Sequence, residues 1–313
     1  MCIRDDTLSA HIVPSWYRTL IENPGRDVAA WSLESHLTYM FETGITLSVV
    51  SASTPAATHF TGDAAQNAAL ARLLNEFMSA LADTYPGHFA FVAAVPLPYV
   101  GEAVREAEFA LDKLGASGIG MLSSHGGVYH GAPSFKPFYS FLNSYSHTPS
   151  GSNTTRTTKS NKLGLFYHPT VLLQTIDNQL RPAYPEYGFE FAPFDFLFDT
   201  ARNIMNMTAA GTMRENENLN FGFAHCGGAF ASVADRYFSA PGYADGEGWE
   251  VHEETFHERY EVVCCPFVGK TWAPELTGWL IGRFGIQQVP YSRVLCKAFS
   301  RSEFLRIIWF MAR

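Results

Sequence analysis

The stretch that decides the fold is LGLFYHP at residues 163–169, a short apolar run that ends in a histidine and a proline. Its length and apolar character predict a buried strand, and the proline marks where that strand stops. A second run of this form, Leu219 to Ala224, ends at His225. The residues from Asp195 to Ala210, which lie between the two runs, have a helical pattern, so the three segments together predict a parallel strand–helix–strand unit.

The same alternation of strand and helix continues outward from this unit in both directions. Further strands are predicted at Leu8–Val13, Ile45–Ala52, Phe89–Val95, Ser117–Leu122, Tyr260–Cys264 and Ser292–Cys296, and the last two have the weakest pattern. Further helices are predicted at Ser32–Gly44, Asp63–Tyr85, Glu102–Leu114, Phe135–Tyr145, Pro274–Phe284 and Arg301–Ala312. Eight short strands, each followed by a helix or a loop, favour an α/β fold of the (β/α)8 (TIM) barrel type over an open sheet.

We expect one domain over residues 1–313, interrupted by a polar surface loop at residues 147–162 that contains no large apolar side chain. Hydrophobic residues make up 47% of the chain and charged residues 17%, which is enough apolar material for a large core. The net charge is -8 and there is no run of basic residues, so nucleic acid is not an expected partner. No stretch reaches the roughly 20 apolar residues that span a bilayer, so no membrane partner is expected.

Cysteine usage indicates the cellular compartment. The five cysteines are an odd number and their spacings match no zinc ribbon or disulfide framework. Residues 1–8 carry charges and no long apolar run, so we do not expect a signal peptide there. A reducing, cytoplasmic location is therefore predicted.

Three of the eleven histidines lie at the C-terminal ends of predicted strands: His11, His168 and His225. The C-terminal ends of all strands meet at one face of a barrel, where active sites lie. Neutral imidazole binds divalent metals such as zinc, so three such residues favour a metal site over three ordinary buried histidines. By contrast, His252 and His257 lie five residues apart, about 140° around a helix, and do not match the zinc motif HExxH.

Several segments, in this order, resemble one known family. They are Ala10-His11-Ile12-Val13-Pro14, Trp31-Ser32-Leu33-Glu34, Ser51-Ala52-Ser53-Thr54-Pro55, Phe166-Tyr167-His168-Pro169-Thr170, Phe198-Asp199-Thr200-Ala201-Arg202 and Phe223-Ala224-His225-Cys226-Gly227-Gly228. From about residue 9 to 236 the sequence resembles the decarboxylases of the metal-dependent amidohydrolase superfamily. This group includes 2-amino-3-carboxymuconate-6-semialdehyde decarboxylase, γ-resorcylate decarboxylase and, most similar, the fungal 6-methylsalicylate decarboxylase type.

The resemblance implies a divalent metal, zinc or manganese, with His11 and His168 among its ligands. It implies that His225 is a catalytic group beside the metal, able to handle protons because histidine titrates near neutral pH. It also matches Arg236 to an arginine that in some relatives reaches the substrate carboxylate of a neighbouring subunit, which implies a homodimer. We expect the aromatic rings of Phe198 and Trp16 to flank the substrate ring. No organic cofactor is expected, because the chain has neither a GxGxxG motif after its first strand nor a P-loop.

Two ligands that the family normally uses have no counterpart here. Ser9 replaces the first histidine of the family's strand-one HxH pair, and no aspartate occurs after Asp245. The family's strand-eight turn with its aspartate corresponds to Cys296-Lys297-Ala298-Phe299. Because tight zinc sites use three or four protein ligands, these departures predict an impaired site, from a degraded paralogue or a misassembled gene.

The expected activity is non-oxidative decarboxylation of a small aromatic acid of the hydroxybenzoate or 6-methylsalicylate kind, which makes the chain a carboxy-lyase. Two alternatives stay open. One is metal-dependent hydrolysis of an ester, lactone or amide, because one barrel hosts many chemistries. The other is a non-catalytic barrel that binds an aromatic acid or pairs with an active subunit.

Overall fold

A computed structural model of the chain describes residues 7–22, 28, 30–145, 162–171, 173–176, 179–182, 191–238 and 260–262. Seven strands form one sheet in sequential order, and every neighbouring pair is parallel. They are β1 (Thr7–Ile12), β2 (Leu47–Ala52), β3 (Phe89–Ala94), β4 (Gly118–Leu122), β5 (Leu163–His168), β6 (Leu219–Phe223) and β7 (Tyr260–Val262). All seven strands agree with the predicted ones to within two residues, while the eighth predicted strand lies outside the described residues.

Helices follow most of these strands. They are α1 (Ser15–Ile21), α2 (Leu33–Thr43), α3 (Ala64–Thr84), α4 (Val100–Asp112), α5 (Lys136–Ser144), α6 (Phe191–Ala209), α7 (Thr212–Glu215) and α8 (Phe230–Phe238). The boundaries of α2 have clear local causes, since the Ser32 side chain accepts a hydrogen bond from the Ser35 N–H and Gly44 ends the helix with a φ of 69°. No helix within the described ranges is both long and apolar enough to cross a membrane.

Three of these helices and two antiparallel hairpins were not predicted. The helices α1, α7 and α8 are short, with 7, 4 and 9 residues, and give little helical periodicity. One hairpin follows β4 and pairs Ser124–His125 with Val128–Tyr129, and the other pairs Leu173–Ile176 with Gln179–Pro182. The polar loop at 147–162 and the predicted helices beyond residue 262 lie almost entirely outside the described residues, so the one-domain organisation stays a prediction.

The strands divide their side chains between two apolar clusters. Val50, Phe91 and Phe223 point outward and join the main core, which lies between the sheet and the helices. Val49, Val92, Phe166 and Ala224 point to the other face and form a small separate cluster there. This alternation follows from the two-residue period of a strand, and it places the second cluster on the inner face of the sheet.

A close approach between β4 and β5 leads to a stability prediction. A methyl group on Gly118 would lie 2.3 Å from the backbone oxygen of Gly164. We expect Gly118→Ala to lower the free energy of unfolding by about 1–3 kcal/mol, because one of the strands must move. Urea unfolding checks this, with Gly101→Ala in α4 as the control, since its methyl would meet no atom closer than 3.9 Å. Equal stability of the two variants would contradict the prediction.

Candidate active site

The structure brings the three predicted histidines together at the C-terminal edge of the sheet. His11 is in β1, His168 is the last residue of β5, and His225 comes two residues after β6. The ring centroids of His11 and His168 are 4.2 Å apart, and those of His168 and His225 are 5.2 Å apart. His168 is therefore the central ring of the cluster. His11 and His168, 157 positions apart in the sequence, meet because parallel strands end at one edge.

The chain turns sharply at His225. This residue has a φ of 55°, unusual for a residue with a side chain, and it begins a 3-10 turn that ends at Gly227. The next residue, Gly228, has a φ of 61° and approaches α6 so closely that a methyl there would lie 2.2 Å from the Leu197 oxygen. The turn aims the imidazole of His225 at His168, while Phe196 of α6 contacts both rings at centroid distances of 6.0 and 5.3 Å.

One ring nitrogen of His11 has a partner. Its Nδ1 lies 2.9 Å from Oγ of Ser51, the residue that pairs with His11 in the register of β1 and β2. Three other ring nitrogens of the cluster are buried without a hydrogen-bond partner: His11 Nε2, His168 Nδ1 and His225 Nδ1. Buried polar atoms are rarely left unsatisfied in proteins, so three such atoms in one cluster indicate a place for a ligand.

Burial keeps all three imidazoles neutral at pH 7. Desolvation lowers the pKa of His11 to about 4, and desolvation together with the nearby His11 lowers the pKa of His225 to about 4. The pKa of His168 lies well below its ordinary value. Burial of the ring is the larger cause, and the nearby imidazoles of His11 and His225 are the smaller one. The expectation that His225 titrates near neutral pH is therefore corrected, since it took no account of burial.

A small pocket with an accessible volume of about 10 Å³ lies beside the cluster on the inner face of the sheet. Its polar side chains are Ser51 and His168, and its walls are otherwise apolar, with Val92, Leu122 and Phe166 among them. A pocket that is mainly apolar with a few convergent polar groups is the usual form of a small-molecule site.

The other predicted site residues occupy different positions. Trp16 in α1 is 39% exposed and Phe198 in α6 is 40% exposed, and neither lines the cavity described above. Arg236 belongs to α8, but the orientation of its side chain is outside the described part of the structure. Ser9 lies in β1 opposite Val49, and the segment at 296–299 is not described. The contacts of these residues with a substrate stay predictions.

The donor atoms present suit a divalent metal in kind but not in number. Neutral imidazoles with free nitrogens are what zinc and similar ions bind, and the low pKa values favour that form. No carboxylate joins the cluster, and no group of three or more His, Cys, Asp or Glu side chains with metal-binding geometry occurs among the described residues. His11 and His168 can therefore provide part of a metal site, and a complete site needs further ligands.

Reasoning from the sequence missed two polar residues next to the cluster. Ser51 was quoted only as part of a motif, although its place at the end of β2 beside His11 could have indicated a contact. Asp199 is fully buried on α6 and accepts hydrogen bonds from the loops that follow β4 and β5. Its partners come from residues 29 to 76 positions away, and a sequence pattern cannot reveal such contacts.

Comparison with known proteins agrees with this fold. Residues 9–277 match the amidohydrolase family, and the chain belongs to that family. It is 26% identical over 265 residues to the decarboxylase macB of Penicillium terrestre, covering 82% of this chain and 72% of that one. It is 25% identical over 234 residues to the 6-methylsalicylic acid decarboxylase acuB of Aspergillus aculeatus, covering 72% of this chain and 64% of that one. The chain thus spans less than two thirds of the second relative.

Among solved structures, a dihydroxybenzoic acid decarboxylase from a Polaromonas species superimposes with a TM-score of 0.69. The alignment covers 99% of this chain and 96% of that one at 14% identity, and that enzyme was solved with bound manganese and the inhibitor 2-nitroresorcinol. At this level of identity the likeness establishes the fold. The prediction of an amidohydrolase-type (β/α)8 barrel is confirmed, as is the resemblance to its decarboxylase branch.

Proposed function

We propose that this chain is a non-oxidative decarboxylase of a small aromatic acid of the hydroxybenzoate or 6-methylsalicylate kind. The observation that carries the proposal is the cluster of His11, His168 and His225 beside the apolar cavity. The chain is also similar to decarboxylases, one of them a 6-methylsalicylic acid decarboxylase, and this similarity supports decarboxylation as the reaction at the cluster.

The lining of the pocket suits an aromatic acid in character. Its accessible volume of about 10 Å³ is the space of about one water molecule, so an aromatic ring needs the pocket to open further. Apolar side chains such as Val92 and Phe166 suit an aromatic ring, and the polar groups Ser51 and His168 suit a carboxylate or hydroxyl group at its edge. We place the substrate at the mouth of this pocket, with its carboxylate toward the histidines.

A divalent metal belongs to this proposal, held by His11 Nε2 and by His168. When bound, such an ion polarises the oxygens of the substrate as a Lewis acid. The nitrogen donors favour zinc, whereas manganese prefers carboxylate and water ligands, so we propose zinc even though the Polaromonas enzyme holds manganese. The free Nε2 of His11 supports its assignment as a ligand atom.

His225 is proposed to move the proton. Decarboxylation breaks the bond between the ring carbon and the carboxylate, releases CO2 and places a proton on that carbon. Because burial makes the His225 ring neutral at pH 7, it must first take up a proton, for which its unpartnered Nδ1 is available. The contacts with Phe196 and His168 hold the ring in place during this transfer.

The test is CO2 release from a panel of hydroxybenzoates, 6-methylsalicylate and lactones, with purified protein loaded with zinc or manganese. Release of CO2 from at least one aromatic acid is expected, whereas hydrolysis of a lactone without CO2 release would replace the proposal with a hydrolase. Among the residues that the structure describes, no carboxylate joins the histidine cluster, so the test includes a third outcome, in which aromatic acids bind without turnover. Isothermal titration with the same acids identifies that outcome and would overturn the proposed activity.

Ser51 gives a prediction about metal affinity. If the Nδ1–H of His11 donates to Ser51 Oγ, the Nε2 lone pair faces the cluster and can bind an ion. We expect Ser51→Ala to weaken zinc binding by about 10- to 100-fold, measured by competition with a chelator. The matched control is Ser48→Ala in the same strand, whose hydroxyl contacts His36 instead. Equal zinc affinities of the two variants would contradict the prediction.

Three further features complete the proposal. We propose one domain, a cytoplasmic location, and a homodimer in which Arg236 of one subunit reaches the substrate of the other. The location is supported by the odd number of cysteines, and the dimer by the match of Arg236 to the arginine of some relatives. Phe198 and Trp16 do not line the pocket, and we propose that they flank the substrate ring outside it, because both present exposed aromatic surface.

A further inference from the structure

A buried carboxylate lies behind the histidine cluster and has no role in the proposed chemistry. Asp199 on α6 is 0% exposed, and three groups donate hydrogen bonds to it. Ser123 Oγ donates to Oδ2, Tyr129 Oη donates to Oδ1 at 2.7 Å, and the Thr170 N–H donates to Oδ2 at 2.9 Å. All three donors belong to segments that follow β4 or β5, so Asp199 ties both strand ends to the helix.

The hydrogen bonds of Asp199 act on the backbone that follows His168. The backbone N–H of Ser123 donates to the His168 carbonyl at 2.8 Å, while the Ser123 hydroxyl reaches Asp199. Two residues after His168, the Thr170 N–H is bound by the same carboxylate, and the Thr170 hydroxyl lies 3.2 Å from that of Thr54. The backbone that leaves His168 is therefore connected to one carboxylate twice, through Ser123 at the His168 carbonyl and directly at the Thr170 N–H.

The chemistry of the three donors explains why an acid occupies this position. The Thr170 N–H can only donate, and a carboxylate offers two oxygens that accept without needing a donor in return. Burial raises the pKa of Asp199 above its ordinary value, and the hydrogen bonds from Ser123, Tyr129 and Thr170 and the charge of Arg202 offset only part of that rise. A buried carboxylate is costly unless hydrogen bonds satisfy it, and here all the named donors do so.

We infer that Asp199 is a positioning residue for His168: by accepting hydrogen bonds from the segments after β4 and β5, it sets the place of the His168 imidazole beside His11 and His225. The inference rests on the proposed function for its catalytic consequence, but the placement of the ring can be measured without any activity. Rigid support from neighbouring groups matters because a displacement of about 1 Å can cost about a hundredfold in rate.

The experiment compares Asp199→Ala, Asp199→Asn and the control Asp195→Ala, one helical turn earlier on α6. Proton–nitrogen correlation spectra of the histidine imidazoles report ring placement, with the His168 signals assigned by their loss in a His168 variant. We expect Asp199→Ala to shift the His168 signals and to lower kcat about 10- to 100-fold, with a smaller change in KM. Asp199→Asn should restore most of both, because its oxygen can accept from Thr170 while Tyr129 turns to accept from its amide.

The outcomes separate the inference from the proposed function. If the wild type releases no CO2 but the His168 signals respond as expected, the decarboxylase proposal fails and the positioning role stands. Unchanged His168 signals in Asp199→Ala, or the same shift in Asp195→Ala, would overturn the positioning role. Should Asp199→Ala not fold, Tyr129→Phe removes one donor and leaves the carboxylate, and it must shift the same His168 signals by a smaller amount.

Discussion

Replacing His168 with alanine is expected to lower CO2 release about a thousandfold. His168 is the central ring of the cluster, 4.2 Å from the His11 ring and 5.2 Å from the His225 ring by their centroids, and it also lines the cavity. The substitution removes a proposed metal ligand and the wall against which His225 packs. Loss of one group that acts on the reacting atoms costs about 10²–10⁴-fold in rate. Steady-state kinetics with the best substrate of the panel measures the effect.

The control for this variant is His36→Ala. The two histidines are similarly buried, at 6% exposure for His168 and 8% for His36. His36 contacts Ser48 and Phe89 near the beginnings of β2 and β3, at the edge of the sheet opposite the cluster. Residues at that end of a barrel contribute to stability rather than to catalysis, so His36→Ala should be less stable and keep its kcat. A His168→Ala protein that kept a tenth of the wild-type rate would contradict the proposed role.

Replacing Gly228 with alanine is expected to have the largest effect on stability, a loss of about 2–6 kcal/mol. A φ of 61° at this residue is unfavourable for any residue with a side chain, at about 1–3 kcal/mol. The added methyl would also lie 2.2 Å from the Leu197 oxygen, which the Ala229 N–H holds in place at 2.9 Å, and such overlap costs about 1–3 kcal/mol. The turn that carries His225 must then move, so activity should fall as well.

Gly87→Ala separates the two contributions in the Gly228 prediction. Gly87 has a φ of 82° and no atom within 4 Å of the added methyl, so this variant bears only the backbone cost of about 1–2 kcal/mol. Thermal and urea unfolding of both variants gives the difference. If Gly228→Ala were no less stable than Gly87→Ala, the contact with Leu197 would not constrain the turn.

Much of the sheet could be predicted because buried strands have a local signature. The runs at 163–167 and 219–224 are apolar, short and closed by clear end signals, and they became β5 and β6 with shifts of one residue at their ends. The helix caps at Ser32 and Gly44 likewise depend on neighbouring residues alone. The short helices and the hairpin after β4 escaped prediction because contacts with distant residues stabilise them, as the bond from Tyr129 to Asp199 illustrates.

The strand-end positions of His11, His168 and His225 are visible in the sequence, and the parallel arrangement of their strands follows from the strand–helix alternation. A strand's period and end signals are local properties, so they can be read without coordinates. The neutral state of the imidazoles, the bond from Ser51 to His11 and the convergence of three donors on Asp199 were decided by tertiary structure alone. Desolvation and hydrogen bonding depend on which distant groups the folded chain packs together, and that information lies in no single segment of the sequence.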